Sequence, residues 1–185
     1  MVDFSKVRAI DFHTHAEESC GCHADDGYDE LQSTMAKYFG APWQHPPTIP
    51  ETAAHYREMN IAAVIFPVDA ERETGYRRYN NYEVAEACAK ESDILIPFAS
   101  IDPHKGKLGA REALDLVKNH GIQGFKFHPT MQGFYPNDRM AYDLYEAIAE
   151  TGKPALFHTG QTGVGSGMKG GNGMRLKYSN PMYMD

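Results

Sequence analysis

The sequence is poor in several things, and each shortage removes a class of protein. It has three cysteines in 185 residues, and two of them, Cys20 and Cys22, stand one residue apart. That is a weak disulfide framework, so a reducing, cytoplasmic setting is expected. Apolar runs end near six residues, as in Ile61-Ala62-Ala63-Val64-Ile65-Phe66. A membrane span needs about 20, so none is expected. Met1 to Ile10 carries Asp3, Lys6 and Arg8 and lacks the apolar stretch of a secretory signal. Basic charge is short as well, with 18 Lys and Arg against 25 Asp and Glu and a net charge of −7. A nucleic-acid binder would carry a basic excess or stripe, and neither is visible. No internal repeat and no heptad pattern appears. What is present is globular: 42% hydrophobic and 23% charged residues, enough for one sizeable core.

Short apolar runs alternate with helical patterns. Strands are expected at Val7–His13, Ile61–Pro67, Ile94–Ser100, Ile122–His128 and Pro154–His158. Each is nearly continuous in apolar residues, as strands buried on both faces are. Helices are expected at Pro50–Asn60, Asn81–Glu91, Lys107–His120 and Asp138–Thr151, with Gly121 and Gly152 as stops. Strand ends at Phe66, Ser100, His128 and His158 are 34, 28 and 30 residues apart. That pitch is the signature of repeated βαβ units on a parallel sheet. Residues 16–49 interrupt it as an insertion, with a short helix near Glu30–Phe39 and prolines at 42, 46, 47 and 50. Such a long connection is either a surface loop or a wall over a site.

The chemistry gathers at the strand ends. Ile10-Asp11-Phe12-His13-Thr14-His15 closes the first strand. Alternation along a strand puts His13 and His15 on one side, with Asp11 below them. Two imidazoles so spaced can reach one divalent first-row metal ion. Alone, the spacing is equally that of two ordinary histidines. His128 and His158, however, close the fourth and fifth strands. In parallel α/β proteins the carboxyl ends of the strands share one face, where sites are built. Three strands ending in histidine therefore favour a common metal.

The set Asp-Phe-His-Thr-His, Ala-Ser-Ile-Asp-Pro-His at 99–104, Gly-Phe-Lys-Phe-His-Pro at 124–129 and Leu-Phe-His-Thr-Gly at 156–160 resembles the amidohydrolase-2 group of the amidohydrolase superfamily. The resemblance implies an α/β fold, a (β/α)8 TIM barrel of which this chain carries about the first five βα units, in a single domain over 1–185. It implies His13, His15 and His158 as metal ligands and His128 as a catalytic residue facing the substrate. It implies one divalent ion, zinc first, with manganese or iron as alternatives. A strand-six histidine and a strand-eight aspartate, which the family also uses, are expected beyond Asp185. The eight units of such a barrel need about 250 residues.

Other residues have weaker claims. Lys126 shares a strand face with His128 and is a candidate substrate contact; pairing with Asp11 or Asp102 is the competing role. In other subgroups a lysine at this place is carboxylated and bridges two metals. Asp102 is a second candidate substrate contact, set against turn duty before Pro103. Arg175 is a third, since a guanidinium grips a carboxylate in two places; an exposed loop arginine is the alternative. Cys20-Gly21-Cys22-His23 lacks the second pair of a structural zinc site. Gly160–Gly173 holds seven glycines in fourteen residues and is expected to be a mobile loop. Within it, residues 165–170 fit Gly-x-Gly-x-x-Gly but lack the flanking strand and helix of a dinucleotide site.

With the resemblance, these features point to a metal-dependent hydrolase using metal-bound water, and the resemblance alone implies a small carboxylated or β-dicarbonyl compound as its substrate. A non-oxidative decarboxylase on the same scaffold is the alternative. A catalytically incomplete metal-binding fragment is the reading from another class. Homo-oligomerisation is expected, because five strands leave unpaired sheet edges.

Overall fold

Five parallel strands form one sheet in the order β1-β2-β3-β4-β5, a half-barrel carrying helices on its outer face. The computed structural model describes residues 1–18 and 27–184. In chain order the elements are β1 (Ala9–His15), α1 (Tyr28–Tyr38), α2 (Ile49–Met59), β2 (Ile61–Phe66), α3 (Glu71–Thr74), α4 (Asn81–Lys90), β3 (Leu95–Ala99), α5 (Lys107–His120), β4 (Gly124–Phe127), α6 (Pro129–Gln132), α7 (Tyr142–Glu150) and β5 (Ala155–Phe157). Among the described residues no helix is long and apolar enough to cross a membrane.

The helices follow local chemistry. The Glu51 carboxylate accepts the Thr48 N–H at 2.9 Å, closing the first turn of α2. Asn60, at φ 56°, turns the chain out of α2 directly into β2. Asn80 caps α4 by accepting the Tyr82 N–H. Gly121, at φ 73°, ends α5.

Alternation along the strands sorts the core. Val64, Phe66 and Phe98, with Ile10, Ile96 and Leu156, pack together inside the half-barrel. Ala63, Ile65 and Leu95 pack outward with Ile49, Ala53, Val84 and Cys88, which come from α2 and α4. Phe125 and Phe127 pack outward with Ala113, Leu116, Leu144 and Ile148, which come from α5 and α7. Each of these two fully buried rings contributes about 2–3 kcal/mol. The inward positions of β4 are therefore Gly124 and Lys126. Gly124 has a steric reason: a Cβ there would lie 2.3 Å from Phe98 Cζ.

Four differences from the sequence expectation matter. β1 runs to His15 rather than His13, because Thr14 and His15 still pair with Ile65 and Phe66. The expected helix at Asp138–Thr151 begins as a 3-10 turn, Arg139–Ala141, and becomes α7 only at Tyr142. The one-turn helices α3 and α6 were not foreseen, being too short to show periodicity. The glycine-rich stretch includes a 3-10 turn, Lys169–Gly173, that no periodicity signalled. Gly167 packs against Thr34 and Tyr38 of α1, and a Cβ at Gly165 would meet the Gly171 carbonyl at 2.2 Å. Cys20, Cys22 and His23 lie outside the described residues.

Candidate metal and substrate site

At the carboxyl ends of the strands lies a cavity of about 930 Å3. Its floor includes His13, His15, His128 and His158. The 16–49 segment forms one wall, through Glu17, Leu31, Gln32 and Met35. Tyr76 and Tyr79, from the connection after α3, form another, and Thr162 to Val164 a third. The cavity has the size of a small-molecule site.

β1 does not run evenly into this cavity. Asp11 pairs with Ala63 but Thr14 with Ile65, so three steps on β1 match two on β2. This is a bulge, with one extra residue. Unbroken alternation would send Asp11 and Thr14 to opposite faces. Instead both reach the same Tyr56 hydroxyl on α2, at 2.6 and 2.8 Å. Asp11 therefore faces α2 and does not lie beneath the histidines, correcting the expectation from alternation. His13 and His15 converge, with their Nε2 atoms 3.1 Å apart. Both rings meet the Phe66 ring edge-on, at 5.4 and 5.0 Å.

Burial pushes the imidazoles toward their neutral forms. His15 is driven down to about 4, by burial first and then by His13, Lys126 and His158. His13 is lowered chiefly by burial and by Lys126. His128 is driven to about 2, by burial and then by His158 and Lys126. His158 is lowered by burial and Lys126. Neutral imidazole is the form that ligates a metal.

Two imidazole nitrogens about 2.1 Å from one ion, at angles of 90–110°, stand about 3.0–3.4 Å apart. The His13–His15 pair has that spacing. His158 is placed differently: its Nε2 donates to the Gln161 carbonyl at 3.0 Å, which leaves the lone pair on Nδ1. Its ring lies flat against that of His128, with centroids 4.0 Å apart and planes 7° off parallel. Among the described residues no three His, Cys, Asp or Glu side chains close on one point tightly enough to hold an ion. The strand-end pair thus fits a divalent cation, with His158 as the nearby third imidazole.

His128 is anchored from below. Its Nδ1 accepts the Met131 N–H at 3.3 Å, so Nε2 carries the proton and faces Thr162 Oγ1 at 3.5 Å. Its backbone N–H donates to the Gln132 side chain at 2.8 Å. The Gln132 amide donates in turn to the Asp69 and Ile101 carbonyls. One fully buried side chain so ties together the chain after β2, β3 and β4.

Lys126 is 1% exposed and takes part in no ion pair among the described residues. Its Nζ lies 4.9 Å over the Phe66 ring, and burial lowers its ammonium to about 8. Neither carboxylate considered as a partner serves it. Asp11 holds Tyr56 and the His13 N–H. Asp102 holds Arg72 at 3.1 Å and the His104 ring at 2.8 Å. Asp102 is buried away from the cavity wall and caps the Pro103–Lys105 turn. Arg175 is exposed and also stands outside the wall. The structure thus gathers His13, His15, His128 and His158 at the cavity, keeps Lys126 buried within electrostatic reach of them but out of the lining, and leaves Asp102 and Arg175 aside.

Sequence reasoning missed Glu17, Gln32 and Tyr56. Burial raises the Glu17 carboxyl, partly offset by hydrogen bonds from Tyr28 and Gln32. The Gln32 Oε1 atom is buried without a partner among the described residues. The only signal for Glu17 was its place two residues after His15. Tyr56 gave none.

The amidohydrolase family model of the second type matches residues 10–185. The chain belongs to the amidohydrolase family. No curated protein matches it significantly in sequence. Among solved structures, this amidohydrolase is similar to the 5-carboxyvanillate decarboxylase of Sphingomonas paucimobilis, with a TM-score of 0.59 and 14% identity, over 96% of this chain and 60% of that one. It is similar also to the 5-carboxyvanillate decarboxylase of Novosphingobium aromaticivorans, with a TM-score of 0.53 and 15% identity, over 85% of this chain and 51% of that one. The latter was solved with manganese and 4-hydroxy-3-methoxy-5-nitrobenzoic acid. The chain thus spans about half to three fifths of the length of these structures. At such identities the likeness establishes the fold, five parallel strands of the family's barrel.

Proposed function

We propose that this amidohydrolase fold serves non-oxidative decarboxylation of a small aromatic carboxylate, with a divalent cation, manganese before zinc, as cofactor. The sequence alone put hydrolysis first. The structural neighbours favour its alternative, because both are named as decarboxylases and one holds manganese. The observation that carries the reading in this chain is Lys126: a buried ammonium with no ion pair among the described residues, within electrostatic reach of four strand-end histidines. Neutral imidazoles on the floor, with a buried ammonium close behind them, favour an anionic ligand.

His13 and His15, with His158, would hold the cation, which when bound supplies a Lewis acid that polarises a substrate oxygen. Decarboxylation breaks the bond between a ring carbon and the carboxyl carbon. The electron pair stays on the ring carbon, CO2 leaves, and a proton takes its place. Lys126 is suited to an anionic group that the substrate keeps, a phenolate or second carboxylate. An ammonium on the departing carboxylate would oppose the loss of its charge. His128 stays neutral at any working pH, so it acts as an Nε2–H hydrogen-bond donor that orients the substrate. The tyrosines and leucine of the cavity wall offer apolar surface to a ring.

The test is a pair of assays with Mn2+ added. Release of CO2 from hydroxybenzoates bearing a second carboxylate, abolished in His13→Ala and at least tenfold lower in Lys126→Met, is expected. Saturable binding of 4-hydroxy-3-methoxy-5-nitrobenzoate, weakened by the same variants, is expected alongside. Turnover of esters, amides or β-diketones without CO2 release would return the reading to hydrolysis. Neither binding nor turnover would leave a catalytically incomplete metal-binding fragment.

A further inference from the structure

Tyr56 touches both flanks of the β1 bulge. Its hydroxyl donates to Asp11 Oδ2 at 2.6 Å, and Thr14 Oγ1 stands 2.8 Å from the same oxygen. The single phenolic proton goes to the carboxylate, so the Thr14 hydroxyl donates to Tyr56. The other carboxylate oxygen, Asp11 Oδ1, accepts the His13 N–H at 2.8 Å. The register shift falls between Asp11 and Thr14, the two residues that Tyr56 grips. A bulge leaves its extra residue outside the ladder and re-aims a side chain. Here the re-aimed segment carries His13. The chain of bonds Thr14, Tyr56, Asp11, His13 therefore spans the irregularity from one side to the other.

We propose that Tyr56 is a positioning residue: through Asp11 and Thr14 it fixes the bulge and holds His13 at the spacing from His15 that a divalent cation requires. The proposal rests on the reading of His13 and His15 as a metal pair. Tyr56 does not touch the ion. Both oxygens of Asp11 already hold a hydrogen, which makes Asp11 a strut rather than a ligand. Groups that orient metal ligands typically govern affinity by about 10–100-fold.

The experiment is a titration of metal-free protein with Mn2+ alone, followed by calorimetry. Tyr56→Phe keeps the ring and removes both hydroxyl bonds. Its affinity is expected to fall at least tenfold. Tyr145→Phe removes a comparable bond, from its hydroxyl to the Pro136 carbonyl at 3.0 Å, far from the bulge. It is expected to lose stability similarly and to keep wild-type affinity, which separates positioning from general stabilisation. Amide hydrogen exchange in the metal-free protein gives a second readout. The His13 N–H should exchange faster in Tyr56→Phe, while the Ala63 N–H, bonded to the Ile94 carbonyl, should not change. Should Tyr56→Phe fail to fold, Thr14→Val loosens one flank alone and is expected to cost at least threefold in affinity. Affinity within twofold of wild type in the folded variant overturns the proposal. If wild type itself shows no Mn2+ binding that His13→Ala removes, the metal reading falls first and this proposal with it.

Discussion

Replacing Lys126 with methionine should make the metal-free protein more stable at neutral pH. The two side chains are similar in length, and the residue is fully buried, so packing changes little. What changes is an ammonium without a partner. Burial lowers it from 10.5 to about 8. At about 1.4 kcal/mol per pH unit, the charged form costs the fold about 3 kcal/mol. The contact with the Phe66 ring returns about 1 kcal/mol, leaving a net cost of about 2 kcal/mol. The sign with pH follows. A lysine depressed in the folded state binds fewer protons there than in the unfolded chain. The destabilisation due to Lys126 should therefore fade as pH climbs from about 8 to 10.5, and the advantage of Lys126→Met should shrink over the same window. Urea unfolding in chelator at pH 7, 8, 9 and 10 reads this directly. Other titrating groups are common to both proteins and cancel in the difference. A variant less stable than wild type at pH 7, or a gap independent of pH, would show that Lys126 has an anionic partner in solution. That outcome would remove the main support for an anion-binding site. Conversely, a bound aromatic carboxylate should raise the melting temperature of wild type and leave that of the variant unmoved.

Gln132→Ala should cost about 3 kcal/mol in urea unfolding, because it strands the buried His128 N–H and the Asp69 and Ile101 carbonyls together. A cost below 1 kcal/mol would mean that water replaces the amide. Gly124→Ala should cost about 1–3 kcal/mol through collision with the Phe98 ring, and much of it should return in the double variant with Phe98→Leu. In protein carrying Cys20→Ser and Cys22→Ser, Cys88 should resist a thiol reagent at pH 8 until the protein unfolds, since burial raises its thiol to about 12. The same shift predicts stability falling as pH rises above about 9, where the unfolded thiol ionises and the folded one does not.

The fold was legible because its signals are local and repeated. Each strand is a short apolar run, and each large helix ends in a residue that stops it, Asn60 after α2 and Gly121 after α5. The βα pitch then leaves few topologies open. Boundaries slipped where polar residues continue a strand, as Thr14 and His15 do beside Ile65 and Phe66. The rim histidines were legible for a related reason. A residue that ends a buried parallel strand has one place to go, the shared carboxyl face. Asp102, read both as a turn residue and as a substrate contact, shows where that logic stops. It too follows a strand, but Arg72 and the His104 ring take up its carboxylate. Arg72 arrives from α3, a single turn with no periodic signature. Whether a strand-end carboxylate is spent on structure or left for a ligand depends on partners about 30 residues away.

The bulge marks the sharper limit. Nothing in Ile10-Asp11-Phe12-His13-Thr14-His15 announces it, since no glycine or proline interrupts the run. Alternation alone placed His13, His15 and Asp11 on one face. That would have put a carboxylate under the imidazoles, charging them and drawing Lys126 into a pair. The extra residue in β1 sends Asp11 to Tyr56 instead. Three consequences follow from that one register shift. Burial and Lys126 hold the His13 and His15 imidazoles toward their neutral forms, with Asp11 only partly opposing this at His13. Lys126 is left without a carboxylate partner among the described residues, buried close to the histidines of the cavity floor. Asp11 is taken off the cavity floor, so the carboxylates that line the cavity, Glu17, Glu18, Asp29 and Glu83, stand elsewhere in its lining. A pairing detail between β1 and β2 thus decides which side chains face the cavity, which is why its histidines could be read from the sequence while the place of Asp11 could not.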